Sequence, residues 1–171
     1  MTTAARRSAE AEEILSAVEE KYGFRPNLMQ EMVAAPAAAR MYLAAQGALE
    51  DASLSPAQAQ AVQLAVASHN DCGYCTAVHR MLGGTSAISD ADLAAIEDGD
   101  PPEDAEIAPV VKATRRVLAK RGWLDERDQA ELAGEGIDRQ ALIEIVAYVA
   151  LKTLSNYVNH IAGTELDPQF R

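Results

Sequence analysis

The chain has 171 residues, and its prolines and glycines are scattered, so its length favours a single compact domain with a sizeable core. Acidic residues outnumber basic ones by 26 to 15, a formal net charge of −11, which disfavours nucleic acids and anionic membranes as partners. Alanine occurs 34 times and aromatic residues only eight times, a composition that favours closely packed helices over a sheet. We therefore predict an all-α helical bundle that forms one domain over residues 1–171.

The N-terminal segment carries two arginines but no apolar stretch after them, so it does not resemble a secretory signal. No segment is expected to be long and apolar enough to span a bilayer. We therefore expect a cytoplasmic protein without membrane contact.

Helical periodicity begins near the N-terminus. Apolar residues among glutamates predict a helix over residues 10–22, which ends at Gly23. Residues 24–27 are expected to form a turn. Two further helices are predicted over residues 28–35 and 37–50, on either side of Pro36.

Residues 52–70 contain no charged side chain, although glutamines keep the segment polar. Ser55 and Pro56 supply an N-cap and a first-turn proline. This pattern predicts a helix that is buried on most sides. Asn70 or Asp71 is expected to cap the next helix, which carries Cys72, Cys75 and His79 and stops at Gly83-Gly84.

The second half of the chain predicts four more helices, over residues 89–96, 107–121, 125–133 and 138–162. The segment from Glu97 to Glu106 holds six acidic residues and two prolines, and we interpret it as a solvated loop. The centre of the last helix is apolar nearly all round, so it needs neighbours on every side. This need predicts a core that extends across a subunit interface.

Both cysteines of the chain, Cys72 and Cys75, lie in one Cys-x-x-Cys string. In a reducing compartment such a pair is more often redox-active or metal-binding than a structural disulfide. Helical spacing brings the two thiols within disulfide reach, and His79 one turn further on can act as a base or proton carrier. Cys75 lies closer to His79, so it is the better candidate nucleophile. Redox chemistry is favoured over inert packing and over a metal site, for which no fourth ligand is evident.

Other polar and aromatic residues have plainer interpretations. His69 and His160 lie near predicted helix ends, where a histidine caps the helix more often than it reacts. Tyr74 and His69 are candidates for a substrate pocket, although an aromatic residue at helical spacing usually belongs to a core. Gln60 can simply satisfy buried polar groups.

The cysteine motif resembles a known family signature. It reads Cys72-Gly-Tyr-Cys-Thr-Ala-Val-His79 and follows Leu54-Ser-Pro and a helix ending in Asn-Asp. This arrangement resembles the signature of the alkylhydroperoxidase D-like branch of the carboxymuconolactone decarboxylase superfamily. The motif core lies at residues 54–84. Residues 22–27 and 156–164 also resemble stretches of peroxidase-related members. The resemblance therefore covers most of the chain.

The resemblance implies an all-α fold, assembly as a trimer or hexamer, and thiol-dependent reduction of a hydroperoxide with electrons from a dithiol reductant. It implies Cys75 as the attacking thiolate, Cys72 as its disulfide partner and His79 as a proton relay, with this redox-active disulfide in place of a cofactor and with no metal. Where the family motif has a glutamate that acts as a base through water, this chain has Gln60. Glu144 is a candidate substitute. If the missing carboxylate limits the rate, Gln60→Glu raises the activity.

Two alternative functions remain open from the sequence. The first is a redox sensor or binding module, in which the cysteines change the shape or partner of a helical oligomer without catalysis, as Gln60 would allow. The second is a lactone decarboxylase like the superfamily's namesake, which is disfavoured because that branch is not expected to carry the cysteine pair.

Overall fold

The computed structural model describes residues 3–170, with side chains from residue 8 onward, and in this part of the chain the backbone forms helices and turns without any β-strand. The nine α-helices in this part are α1 (Thr3–Tyr22), α2 (Asn27–Met32), α3 (Pro36–Ala48), α4 (Pro56–His69), α5 (Gly73–Thr85), α6 (Asp90–Asp98), α7 (Ala108–Lys120), α8 (Glu126–Gly134) and α9 (Arg139–Ala162). Two short 3-10 turns cover Leu49–Asp51 and Pro168–Phe170. The predicted all-α fold is confirmed, and α1 begins earlier than the predicted residue 10.

The start of α4 is fixed as the sequence predicts. Ser55 is the N-cap, and its side chain accepts a hydrogen bond from the backbone N–H of Gln58 at 3.2 Å. The Gln58 side chain in turn accepts from the backbone N–H of Ser55 at 3.0 Å. This reciprocal capping box satisfies two backbone donors that a helix end otherwise leaves without partners.

Helix α4 lies at the centre of the molecule and packs against α5, α6, α7 and α9. Half of its residues are buried, and its small side chains let the neighbouring backbones approach closely. The buried residues are Ala59, Ala61, Val62, Leu64, Ala65, Val66 and Ala67. The predicted burial of this uncharged helix is confirmed.

The core consists of two clusters of buried side chains. The first lies between α4, α6, α7, α8 and α9 and consists of aliphatic side chains and one tyrosine. The second is formed by α1, α2, α3 and α5 with the C-terminal part of α4 and the middle of α9, and it contains Cys72, Tyr74 and Cys75. The cysteines are therefore held among apolar side chains and not on the surface.

Helix α9 differs from its prediction in two ways. It is not covered all round by this chain, because Ile143, Val146, Tyr157 and Ile161 are 45% to 87% exposed. It is also long and apolar enough, by length and composition alone, to cross a membrane. The prediction that no segment has these properties was wrong. The helix nevertheless packs against α2, α4 and α7, so its apolar residues serve the core of this fold.

The acidic segment from Glu97 to Glu106 is largely solvent-exposed, as predicted. Its first two residues still belong to α6. Glu97 is partly buried and pairs with Arg80 at 2.9 Å.

Candidate active site

Cys72 is the N-cap of α5 and does not lie within the helix. The predicted cap, Asn70 or Asp71, was wrong because the chain turns sharply at Asp71, which has a left-handed backbone with φ of 54° and is exposed. The Cys72 sulfur takes the capping position and accepts a hydrogen bond from the backbone N–H of Cys75 at 3.4 Å. This geometry places one sulfur before the helix and the other in its first turn, where the helix dipole favours negative charge.

The two cysteines are free thiols and are both buried. Asn159 of α9 lies over them, and its side-chain amide donates to Cys75 Sγ at 3.2 Å and approaches Cys72 Sγ at 3.8 Å. Asn156, three residues before it and on the same side of α9, accepts from the Asn70 amide at 2.9 Å. The sulfur pair is therefore enclosed between the α4–α5 turn and α9.

The two thiols have very different acidities. The hydrogen bond from Cys72 is the main reason that the pKa of Cys75 falls to about 6, against the opposing effect of burial. The charge of Lys152 and the hydrogen bond from Asn159 lower it further. The same Cys72–Cys75 hydrogen bond, together with burial, raises the pKa of Cys72. At neutral pH the pair therefore holds a Cys75 thiolate next to a Cys72 thiol.

His79 and Gln60 form a hydrogen-bonded pair behind Cys75. Gln60 Oε1 lies 2.9 Å from His79 Nδ1, and an amide oxygen can only accept, so Nδ1 carries the proton and Nε2 is free. Burial and the nearby charge of Lys152 hold the pKa of His79 well below its ordinary value. The imidazole is therefore neutral at physiological pH.

A cavity of about 270 Å³ opens next to Cys75. Its walls are mostly large apolar and aromatic side chains from α1, α2, α3, α5 and the C-terminal segment. They include Phe24, Leu28, Met29, Tyr42, Leu43, Val78, Met81, Leu82 and Phe170. Cys75 and His79 line this cavity, whereas Cys72 and Gln60 do not. A ligand in the cavity thus meets the thiolate first and finds the Cys72 thiol behind it.

Tyr74 forms part of the cavity wall. Its hydroxyl donates to Asp167 Oδ2 at 2.6 Å, and its ring packs edge-on against Phe170 with centroids 6.3 Å apart. The backbone N–H of Asn27 donates to the same carboxylate at 3.1 Å. Asp167 therefore ties the C-terminal segment to α2 and α5 at the cavity.

The structure gives the other predicted candidates no place in this cavity. His69 is exposed at the last position of α4. Glu144 lies in the second turn of α9, where it accepts from the Ser53 hydroxyl at 2.6 Å and from Gln140 at 3.0 Å. Neither residue lines the cavity.

Sequence reasoning missed Lys152 and Asn159, two α9 residues that complete the site. Asn159 is 84 residues from Cys75 in the chain, a contact that no local pattern indicates. Lys152 did leave a signal, because it is the one Asp, Glu, Lys or Arg between Glu144 and Glu165. Among the residues the structure describes, no group of three or more His, Cys, Asp or Glu side chains is arranged to hold a metal ion.

No protein-family model matches the chain, and no curated protein matches it. Several solved structures do match the fold of this chain. A protein from Ralstonia eutropha JMP134, described as an alkylhydroperoxidase AhpD core and an uncharacterized peroxidase-related protein, superimposes with a TM-score of 0.80 at 21% identity, over 95% of this chain and 87% of that one. An uncharacterized peroxidase-related protein from Silicibacter sp. TM1040 gives a TM-score of 0.76 at 17% identity, over 95% and 90% of the two chains.

The debrominase Bmp8, in a complex with 2,3,4-tribromopyrrole, shares the fold as well, with a TM-score of 0.68 at 18% identity over 100% of this chain and 91% of that one. The alkylhydroperoxidase-like fold expected from the cysteine motif is therefore confirmed. Proteins of this fold are not restricted to one activity, so the function of this chain has to be argued from its own site.

Proposed function

We propose that the protein is a thiol-dependent peroxidase that reduces organic hydroperoxides. The observation that carries this proposal is the position of Cys75, a thiol with its pKa lowered to about 6, at the wall of an apolar cavity with Cys72 directly behind it. A thiolate is the reactive form of cysteine toward peroxides. The peroxidase-related names of two structural neighbours agree with this activity.

The reaction has three steps. The Cys75 thiolate attacks one peroxide oxygen, so that an S–O bond forms, the O–O bond breaks, and the alcohol leaves after it takes up a proton. The Cys72 thiol then attacks the Cys75 sulfenic acid, which forms the disulfide and releases water. A dithiol reductant finally returns both cysteines to the thiol state. The disulfide takes the place of a cofactor.

The cavity accounts for a preference among oxidants. Its apolar and aromatic walls bind a hydrocarbon or aromatic group, whereas hydrogen peroxide has nothing to place against them. At about 270 Å³ the cavity is near the lower end of ligand pockets, which suits a compact substrate such as cumene hydroperoxide.

The exposed apolar residues of α9 support the further proposal that the protein assembles as a homo-oligomer, a trimer or hexamer. Ile143, Val146, Tyr157 and Ile161 lie along one side of the helix and are large apolar side chains in water. Exposed apolar patches of this kind are typical of subunit interfaces.

The experiment that tests the proposed activity is consumption of cumene hydroperoxide by the purified protein with and without a dithiol such as dithiothreitol. We expect several turnovers per subunit with the dithiol, and no more than one equivalent consumed without it. A Cys72–Cys75 disulfide that forms reversibly in a mixture of oxidised and reduced dithiothreitol, with no consumption of cumene hydroperoxide, would instead favour the redox-sensor alternative.

Gln60 provides a test of how the nucleophile is activated. A glutamate at this position would place a carboxylate on His79 Nδ1, outside the cavity. Because Cys75 is already ionised at neutral pH, an added base has little to contribute, and we expect Gln60→Glu to change the turnover rate at pH 7.5 by less than about threefold. A large rise in rate would show that proton removal limits the wild-type protein.

A second variant at the same position measures how much the Gln60–His79 hydrogen bond contributes to stability. Gln60→Leu removes the hydrogen-bond acceptor of His79 and leaves a buried imidazole N–H without a partner. We expect it to lower the free energy of unfolding by about 1–3 kcal/mol in urea denaturation, whereas Gln60→Glu keeps an acceptor at that place.

A further inference from the structure

Lys152 is a buried cation whose presence the fold does not explain. Its side chain lies in the middle of α9 at 2% exposure and lines the same cavity as Cys75 and His79. Among the side chains described for residues 8–170, no carboxylate forms an ion pair with it. It is also the only Asp, Glu, Lys or Arg among the residues of the cavity wall that the structure describes.

A buried ammonium without a carboxylate partner costs stability, and an apolar residue of similar volume at such a place is often neutral or stabilising. A contribution to folding therefore does not account for Lys152. The anionic group that shares its cavity is the Cys75 thiolate, and the charge of Lys152 is one of the causes that lower the pKa of this thiol.

The reaction moves this negative charge within the cavity. When the thiolate attacks a hydroperoxide, the charge passes from sulfur to the leaving oxygen, which is an alkoxide as basic as hydroxide and must be protonated. His79 is a poor source of that proton, because it is neutral and its one N–H is bound to Gln60 outside the cavity. The ammonium of Lys152 lines the cavity and, among the wall residues that the structure describes, is the one cationic donor that can give up a proton to the leaving oxygen.

We propose that Lys152 is a further catalytic residue, which stabilises the Cys75 thiolate and donates the proton that the leaving alkoxide takes up. This proposal rests on the peroxidase function proposed above. The S–O bond forms as the O–O bond breaks, sulfur is oxidised to the sulfenic acid, the peroxide is reduced to the alcohol, and Lys152 becomes a neutral amine.

The remaining steps restore the starting state without another base. Cys72 supplies its own proton when it attacks the sulfenic acid, and water leaves. The dithiol reductant then delivers two electrons and two protons, of which one returns to Cys72 and one to Lys152. The cycle closes on a thiolate–ammonium pair, which explains how the site can work with glutamine at position 60.

The test compares two oxidants that differ in their leaving group. Peracetic acid releases a carboxylate, which needs no proton at neutral pH, whereas cumene hydroperoxide releases an alkoxide, which does. We expect Lys152→Met to reduce the single-turnover rate with cumene hydroperoxide by about 10²- to 10⁴-fold. The rate with peracetic acid should fall only by the smaller factor that reflects the lost thiolate, about tenfold at pH 6.

Lys152→Arg separates the two roles of the lysine. Arginine keeps the positive charge but does not give up a proton, so we expect this variant to keep the wild-type rate of Cys75 alkylation by iodoacetamide and still to lose activity toward cumene hydroperoxide. Unfolding in urea shows whether each variant is folded.

Equal losses with both oxidants, or no loss with either, would overturn the proton-donor role. Alkylation of Lys152→Met at the wild-type rate would overturn the thiolate-stabilising role. A wild-type protein that reduces neither oxidant would instead contradict the peroxidase function itself, and the alkylation rates would still report the effect of Lys152 on Cys75.

Discussion

Cys75→Ser is expected to abolish hydroperoxide reduction, with a loss of at least about a thousandfold in turnover. A serine hydroxyl is not ionised at neutral pH, and the hydrogen bonds from Cys72 and Asn159 that favour a thiolate cannot make it so. The measurement is dithiol-dependent consumption of cumene hydroperoxide, with unfolding in urea as the check that the variant is folded. Turnover by Cys75→Ser at the wild-type rate would contradict the assignment of the nucleophile.

Substitution of Cys72 should have an equally large effect on turnover but a different signature. Because Cys75 alone performs the first step, Cys72→Ser is expected to consume one equivalent of hydroperoxide and then to stop at the sulfenic acid. Excess oxidant should drive this species to the irreversible sulfinic acid. Mass spectrometry distinguishes the two products by one oxygen atom, and the wild-type protein should give the disulfide instead.

A second Cys72 variant isolates the electrostatic part of this effect. Serine keeps a hydroxyl that can donate to the Cys75 sulfur, whereas alanine has no donor. The hydrogen bond from Cys72 is the main cause of the low pKa of Cys75, so Cys72→Ala should raise that pKa more than Cys72→Ser does. Continued turnover by either variant with dithiol would show that the reductant attacks the sulfenic acid directly and that Cys72 is not required.

The helices could be predicted from the sequence because their signals are local. The Ser55-Pro56 start of α4 and the uncharged run that follows it produce the central buried helix, and the spacing of Cys75 and His79 brings both to one cavity. The cap of α5 could not be predicted in this way. Asp71 adopts a left-handed backbone, which transfers the capping role to the Cys72 sulfur.

The rest of the site depends on tertiary packing. Helix α9 places Asn159 against the sulfur atoms of cysteines that are 84 and 87 residues away in the chain. The same helix brings Lys152 to the wall of the cavity that Cys75 lines. The family motif points to a glutamate at position 60, which this chain lacks. The structure shows that Gln60 orients His79 from outside the cavity, and a sequence pattern cannot separate this role from that of a base.

The most direct test of this account is the pH dependence of Cys75 oxidation by cumene hydroperoxide in a single turnover, followed in the wild-type protein. The proposed thiolate predicts a rate that is constant above pH 7, is half-maximal near pH 6 and falls about tenfold for each further pH unit below that. A midpoint at the ordinary thiol value of about 8.5, or no oxidation at any pH, would contradict it.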